Sequence, residues 1–446
     1  MSIAGVTVVV VPRAKANGPL QLGQLAGPYL AADIAARAAR ARGERVLTVG
    51  GFDVHQNCVL TRAETDGVDV DKLISAYRDE IIDALAAARI QYDVLLDPQA
   101  QEYQHAVATL AADLTEAGRF PLRRLTLLAC EYCGRTLHHS YVVGMCACCG
   151  SEASGGGCGG CGGYTTADNL VGPRCDRCGG PPQPFRARVP VLSMEDYRQE
   201  LIEIWLRAEL SDHARQIVTR HLERRLPDVP LAYPTNWGVA GIGPHEGLRL
   251  DACAEVALST LYGVAQSLRP GALGLEETAQ AWSEVGSLWH FNGIDDVFYS
   301  ALFWPAVYLA CGVPPEAIGG ALVNEFSTLD KASTSQGHTI CANDFLHDED
   351  VDILRLYLAW NHPDRYASEF TLSSHRQFEA YVRPPLDGAT KDPALPAALA
   401  EAAVQRGAAA LRPHGFDPAL AVRAALSGLA AGASGAEQLL SVLIGR

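Results

Sequence analysis

A chain of 446 residues is too long for one small hydrophobic core, and two or three domains are expected. Its formal net charge of −15 counts against an extended grip on nucleic acid, because neutralising phosphates calls for a basic face. No segment reaches the length of a membrane span and no signal-peptide pattern is visible, so a cytoplasmic protein without membrane partners is expected.

Val6 to Val11 is a continuous β-branched run that predicts a buried parallel strand. A loop with Asn17-Gly18-Pro19 and Gly23 follows. Pro28 then opens a helical pattern from Tyr29 to Arg42, closed by Gly43. Arg45 to Val49 reads as a second strand ending in Gly50-Gly51. This β-loop-α-β unit begins an α/β, Rossmann-type doubly wound parallel sheet. Ligands of such sheets lie beyond the carboxyl ends of the strands, which is where residues 12–24 and Phe52-Asp53-Val54-His55 fall. Residues 69–118 read as helices. Ser193, ahead of Met194-Glu195-Asp196, predicts a capping box for a long helix through Trp205. Strand and helix signals continue over 231–315. The implied division is 1–125 and 187–320 as two halves of one fold, with 126–186 inserted between them. Residues 321–389 follow, and 390–446 is a short Ala-rich all-α region with two or three helical patterns.

The insertion carries four CxxC pairs: Cys130/Cys133, Cys146/Cys149, Cys158/Cys161 and Cys175/Cys178. Each pair presents two thiolates from one tight turn, and two such knuckles complete a tetrahedral site suited to Zn2+. Eight ligands make two zinc sites. Nested pairing joins the inner two pairs and the outer two; consecutive pairing is the alternative. Gly134, Gly150, Gly162 and Gly179 each follow a second cysteine, where the turn needs positive φ. With every ligand position filled, these are structural sites. Cys148 stands outside them. Metal suits thirteen cysteines in a reducing compartment better than disulfides do.

Ala16-Asn17-Gly18-Pro19-Leu20-Gln21-Leu22-Gly23-Gln24 resembles the class I aminoacyl-tRNA synthetase signature, usually written HIGH, in its methionyl form. Tyr29-Leu30-Ala31-Ala32-Asp33-Ile34 fits too, and Gly51-Phe52-Asp53-Val54-His55 stands where the Asp-x-His segment follows the second strand. Asn236-Trp237-Gly238, Asp251-Ala252, Gly293-Ile294-Asp295 and Phe303-Trp304-Pro305-Ala306 match further landmarks in order. Lys331-Ala332-Ser333-Thr334-Ser335 resembles the KMSKS loop, and the nested knuckles resemble those of two-zinc methionyl enzymes. Asp350 to Arg355 is similar to the helix that opens the stem-contact region. The chain thus looks like a methionyl-tRNA-synthetase-like paralogue without the full anticodon-binding domain. The resemblance spans roughly residues 5–365.

The resemblance implies an ATP-dependent ligase that forms an aminoacyl-adenylate and releases pyrophosphate, with Mg2+ accompanying ATP. It assigns catalysis to Gln21, Gln24, Lys331 and Thr334. It assigns ATP binding to Asn17, Gly18, Gly23, Gly293, Asp295, Ser333 and Ser335. The amino-acid pocket is assigned to Arg13, Lys15, Asp53, Arg249, Tyr299 and Ser300. Several of these depart from the family pattern. Gln21 and Gln24 replace both signature histidines, and Thr334 replaces a lysine. Asp53, which matches the carboxylate that holds the substrate ammonium, is kept, while Arg13, Lys15 and Arg249 replace an apolar lining. A cation in a dry pocket is costly without a partner, so an acidic or polar amino acid is expected. With an acidic balance and a short tail, the expected acceptor is a small-molecule amine or hydroxyl, or a carrier, rather than tRNA. Related methionyl-like modules occur in hydrazine-forming systems, where a cupin partner is expected; no cupin pattern of histidines is visible here. A divergent tRNA ligase and a non-catalytic binding protein are the alternatives.

Overall fold

The computed structural model describes residues 5–329, 341–364, 366–388 and 396–446. A six-stranded sheet forms the centre, in the order Val94–Leu96, Val46–Gly51, Val6–Val10, Val285–Gly293, Ile318–Asn324, Glu209–Leu210, and every neighbouring pair is parallel. Strand Val6–Val10 is buried throughout because it has a neighbour on each side and helices on both faces. Val6, Val8 and Val10 point into one core with helices Gln101–Glu116, Ala252–Leu268 and Trp304–Ala310. Val9 and Val11 point into the other, with helices Leu30–Ala41, Val70–Ala87 and Val351–Trp360.

The first helical segment departs from the expected start at Pro28. It begins at Leu22, widens into a π-type turn over Leu25–Tyr29 and continues as Leu30–Ala41. The wide turn takes up Gly27 and Pro28. Proline has no N–H to give a regular ladder, and Gly27 holds φ −84°, ψ −113°, outside the helical region. A Cβ on Gly27 would lie 2.6 Å from Asn324 Nδ2.

Ser193 does not cap a helix as its spacing suggests. Its hydroxyl donates to Asp228 Oδ1 at 2.5 Å. Glu195 pairs with Arg198 at 2.8 Å and accepts the Leu226 N–H, so the long helix starts at Arg198 after a short 3-10 turn.

Antiparallel strands Leu122–Cys130 and Pro182–Ser193 form an arm that carries the cysteine-rich insertion away from the sheet. Beyond it, a small sheet of Val142–Cys146, Glu152–Ser154 and Leu170–Cys175 spaces the knuckles. The Ala-rich tail forms three helices, Ala397–Ala409, Pro418–Ala431 and Ala436–Ile444, packed on helices Leu30–Ala41 and Val351–Trp360. Arg355 fastens it. This side chain is 1 % exposed and donates to Leu443 O, Ala88 O and Asp33 Oδ2 at 3.1, 2.7 and 2.6 Å. Among the described residues no helix is long and apolar enough to cross a membrane.

Candidate functional site

The cysteine pairs meet in the nested arrangement. Cys130, Cys133, Cys175 and Cys178 form one quartet, and Cys146, Cys149, Cys158 and Cys161 the other, each with its sulfurs within 4.8 Å of one another. The four glycines after the second cysteines have φ of 66–73°, the left-handed conformation such turns require. Both quartets fit zinc knuckles, whose thiolates, all from tight turns, leave no room for a substrate ligand. Cys148 is exposed and belongs to neither.

The candidate amino-acid cleft lies at the carboxyl ends of the central strands, where ligands of such sheets bind. Its floor is the segment after Val6–Val10, joined to the segment after Val46–Gly51. The Ala14 N–H donates to Gly51 O at 3.0 Å and the Asp53 N–H to Ala14 O at 2.9 Å, which sets Arg13, Lys15 and Asp53 side by side. Gln21 and Gln24 are exposed at the first turn of the helix beyond. Gln24 Oε1 accepts the Gln21 N–H at 3.0 Å, so its carbonyl caps the helix and its amide is the donor left over.

Arg13 is 8 % exposed. One nitrogen, Nη2, donates to Thr260 Oγ1 at 2.9 Å, while Nε and Nη1 are buried without a partner among the described residues. Burial lowers its pKa; Tyr103, Tyr308 and Asp53 oppose that. Asp53, equally buried, has its carboxyl pushed up to about 7 by desolvation, against the pull of Lys15. Lys15 remains exposed over part of its surface. Loss of water works against its ammonium, but the combined field of Asp296, Asp53 and Asp295 outweighs that and raises its pKa. Within this polar set the inner edge of Arg13 stands without a partner among the described residues, whereas Asp53 borders Lys15 and Gln56.

The remaining assigned residues are placed as follows. Gly18 has open space where a Cβ would point, whereas a Cβ on Gly23 would meet Ser327 O at 2.9 Å and one on Gly293 would meet Asp295 Oδ1 at 2.5 Å. Gly23 and Gly293 thus let the chain pack against itself. The Asn17 N–H donates to Lys15 O at 2.8 Å, and Asp295 is exposed. Tyr299 is buried with its hydroxyl on Gly156 O at 2.9 Å, a contact from the main fold to the insertion. The Ser300 hydroxyl is taken by Asp296 O, one helical turn back, and Arg249 Nη1 reaches Gly238 O at 3.3 Å. Lys331, Ser333, Thr334 and Ser335 lie outside the described residues.

Sequence reasoning missed several charged groups here. Glu255 is 3 % exposed and takes the Tyr103 hydroxyl and His55 Nδ1, both at 2.9 Å. Burial opposes the charge on His55, yet Glu255 raises its pKa. Asp296, the main partner in the field of Lys15, stands beside a motif residue already assigned. His139 comes from the insertion and pairs with Asp251, the N-cap of helix Ala252–Leu268. Glu255 and Asp296 adjoin landmark residues, and that adjacency was the only available signal.

The family model for class I tRNA synthetases of the methionyl type, tRNA synthetases class I (M), matches residues 7–379. The chain belongs to that family. It is 29 % identical to the methionine–tRNA ligase of Methanopyrus kandleri, over 83 % of this chain and 56 % of that one. Against the methionine–tRNA ligase of Methanocaldococcus jannaschii the identity is 27 %, over 80 % and 54 %. The chain therefore spans little more than half the length of these relatives. The fold is similar to that of Mycobacterium tuberculosis methionyl-tRNA synthetase in complex with methionyl-adenylate. The TM-score is 0.69 at 17 % identity, covering 95 % of this chain and 82 % of the other.

Proposed function

We propose that this family member joins ATP to an acidic or polar amino acid as an aminoacyl-adenylate and passes the acyl group to a small-molecule amine or hydroxyl, or to a carrier. One observation carries the choice of substrate: beside the buried carboxylate Asp53, the guanidinium edge of Arg13 is buried without a partner among the described residues, and both call for a counter-charge. An amino acid with a side-chain carboxylate supplies both, its ammonium on Asp53 and its side chain on Arg13 Nε and Nη1. Methionine leaves the guanidinium edge unpaired at a cost of about 1–3 kcal/mol or more.

In this reading the substrate α-carboxylate attacks the α-phosphorus of ATP. A carboxylate-oxygen-to-phosphorus bond forms, and the bond to the bridging oxygen of pyrophosphate breaks. The residues serve by holding the phosphates and spreading their charge. The amides of Gln21 and Gln24 donate from the helix start, and Gly18 leaves the approach open. Lys331, Ser333, Thr334 and Ser335 contribute from the second loop, and Lys331 is the sole cation of that loop. Gly293 and Asp295 lie on the nucleotide side and Mg2+ accompanies ATP. Zn2+ in the two quartets holds the insertion against Tyr299.

Amino-acid-dependent ATP–pyrophosphate exchange, run across the standard amino acids and N-hydroxylated ones, tests this. Exchange is expected with aspartate, glutamate or a close polar analogue. Exchange with methionine alone overturns the substrate assignment, and no exchange while ATP binds moves the chain to a non-catalytic role. A divergent tRNA ligase is the second reading, favoured by the methionine–tRNA ligases matched over 80 % of the chain or more. Charging of bulk tRNA with the activated amino acid separates it from the first. A cupin partner belongs to the first reading only.

A further inference from the structure

Outside the two cysteine quartets, three more donor side chains gather at one point. His139, Asp251 and Cys253 each offer a ligand atom, and these atoms lie within 4.8 Å of one another. His139 comes from a short turn between the knuckles, and Asp251 and Cys253 come from the start of helix Ala252–Leu268. Asp251 is 3 % and Cys253 6 % exposed, so this is an interior cluster and not a patch of surface acids.

We infer that His139, Asp251 and Cys253 form a third metal site, of the open three-ligand kind, in the wall of the amino-acid cleft. One nitrogen, one oxygen and one sulfur make a donor set of intermediate softness, which suits zinc among the available divalent ions. Zinc bonds of about 2.0–2.3 Å place tetrahedral donors roughly 3.3–3.7 Å apart, so metal entry would part the His139–Asp251 pair, now in direct hydrogen-bond contact, and draw in Cys253 Sγ, which lies within 4.8 Å.

The surroundings orient each ligand as metal sites require. Asp251 Oδ1 accepts the N–H groups of Cys253 and Ala254, both at 3.0 Å, which fixes the carboxylate and turns Oδ2 to His139. His139 has φ 46°, a left-handed conformation costly for a residue with a Cβ. The Gly155 N–H holds it there by donating to His139 O at 3.0 Å. Gly156, at φ +106°, lets the chain pass under the ring, since a Cβ there would lie 2.8 Å from His139 Nδ1. The Gln56 amide donates to Cys253 Sγ at 3.5 Å, a bond that a metal-bound thiolate accepts better than a thiol.

Three protein ligands leave a fourth position, and Gln56, which borders both Cys253 and Asp53, links the cluster to the amino-acid cleft. The ligand class that fits is an amine or hydroxyl entering the cleft, whose proton a metal makes easier to lose. That last assignment rests on the cleft being the amino-acid site; the metal site itself does not. An ordinary hydrogen-bonded His–Asp pair beside a neutral thiol is the competing account, and it gives a different metal count.

The test is metal stoichiometry on the full chain, equilibrated with Zn2+ and freed of unbound metal, by mass spectrometry. Three ions per chain are expected, one for each ligand group. Cys253→Ala and His139→Ala are each expected to retain only the two quartet ions, and Cys148→Ser all three. Two ions in the unaltered chain overturn the proposal, as do three that persist in Cys253→Ala. Cobalt substitution adds a readout free of folding doubts. In the unaltered, folded protein, visible bands beyond those of two tetrathiolate centres are expected, and a spectrum of tetrathiolate cobalt alone overturns the site. Since neither measurement involves pyrophosphate exchange, failure of the proposed activity leaves this result standing.

Discussion

The cysteine-rich insertion and the cleft it borders are built on opposite terms. Each cysteine quartet is complete within itself, with four thiolates from two turns and a glycine at the left-handed position after each turn. The cleft is incomplete, because Arg13 keeps two buried donors unpaired among the described residues and Asp53 sits in a dry place that pushes its carboxyl up to about 7. The quartets use their thiolates on structure, whereas in the proposed reading the cleft keeps the Arg13 edge for a ligand, at a standing cost to the folded state.

Arg13→Met tests that contrast most severely. Exchange activity with the acidic substrate should fall about 10²–10³-fold, the cost of leaving a buried charge without its partner. The same change should raise stability by about 1–3 kcal/mol, because two orphan donors leave the interior. Cys178→Ser should do the reverse in the insertion: both zinc content and melting temperature fall, the former by one ion per chain. If both variants lose stability, Arg13 is an ordinary structural residue and the comparison fails.

A smaller effect concerns pH. A carboxyl whose folded pKa is raised to about 7 is disfavoured in its charged form. Asp53 therefore lowers stability progressively as pH rises from its ordinary value of 3.8 through about 7. Substrate binding runs the other way, since the ammonium needs the ionised form. The amino-acid KM should fall as pH rises from about 6 to 8, and Asp53→Asn should flatten that dependence. The smallest effect is expected where the regions touch. Gly156→Ala places a Cβ 3.0 Å from Tyr299 Oη and 2.8 Å from His139 Nδ1 at φ +106°. A cost of about 1 kcal/mol, a five- to tenfold rise in KM without loss of the two quartet zinc ions, is the expected result.

The same contrast governs what could be read from the sequence. Knuckles are local: four residues set each turn, so CxxC spacing and the following glycine announced them, although only the fold settled which pairs meet. The parallel sheet was legible because Val6–Val10 is apolar at every position, as a strand covered on both faces must be. Arg13 and Lys15 were legible as departures from the family pattern, and Asp53 as a residue that keeps it. Glu255 and Asp296 were not, because their importance comes from what tertiary packing sets against His55 and Lys15. Pro28 misled for a related reason. Local preference puts proline at a helix start, but packing against Asn324 moved the start upstream and left a widened turn around it.

Arg355 has a consequence for how this chain is made. Its three partners lie far away in sequence: Asp33 at 322 residues, Ala88 at 267 and Leu443 at 88. A ribosome that has finished helix Leu30–Ala41 has made a carboxylate whose interior partner does not yet exist. Until Arg355 emerges, Asp33 has only Arg37, one turn along its own helix, and the face it belongs to cannot close. Non-local closure of this kind slows folding. The helix Leu30–Ala41 face and the Ala-rich tail therefore reach their native packing only after both Arg355 and Leu443 have been made.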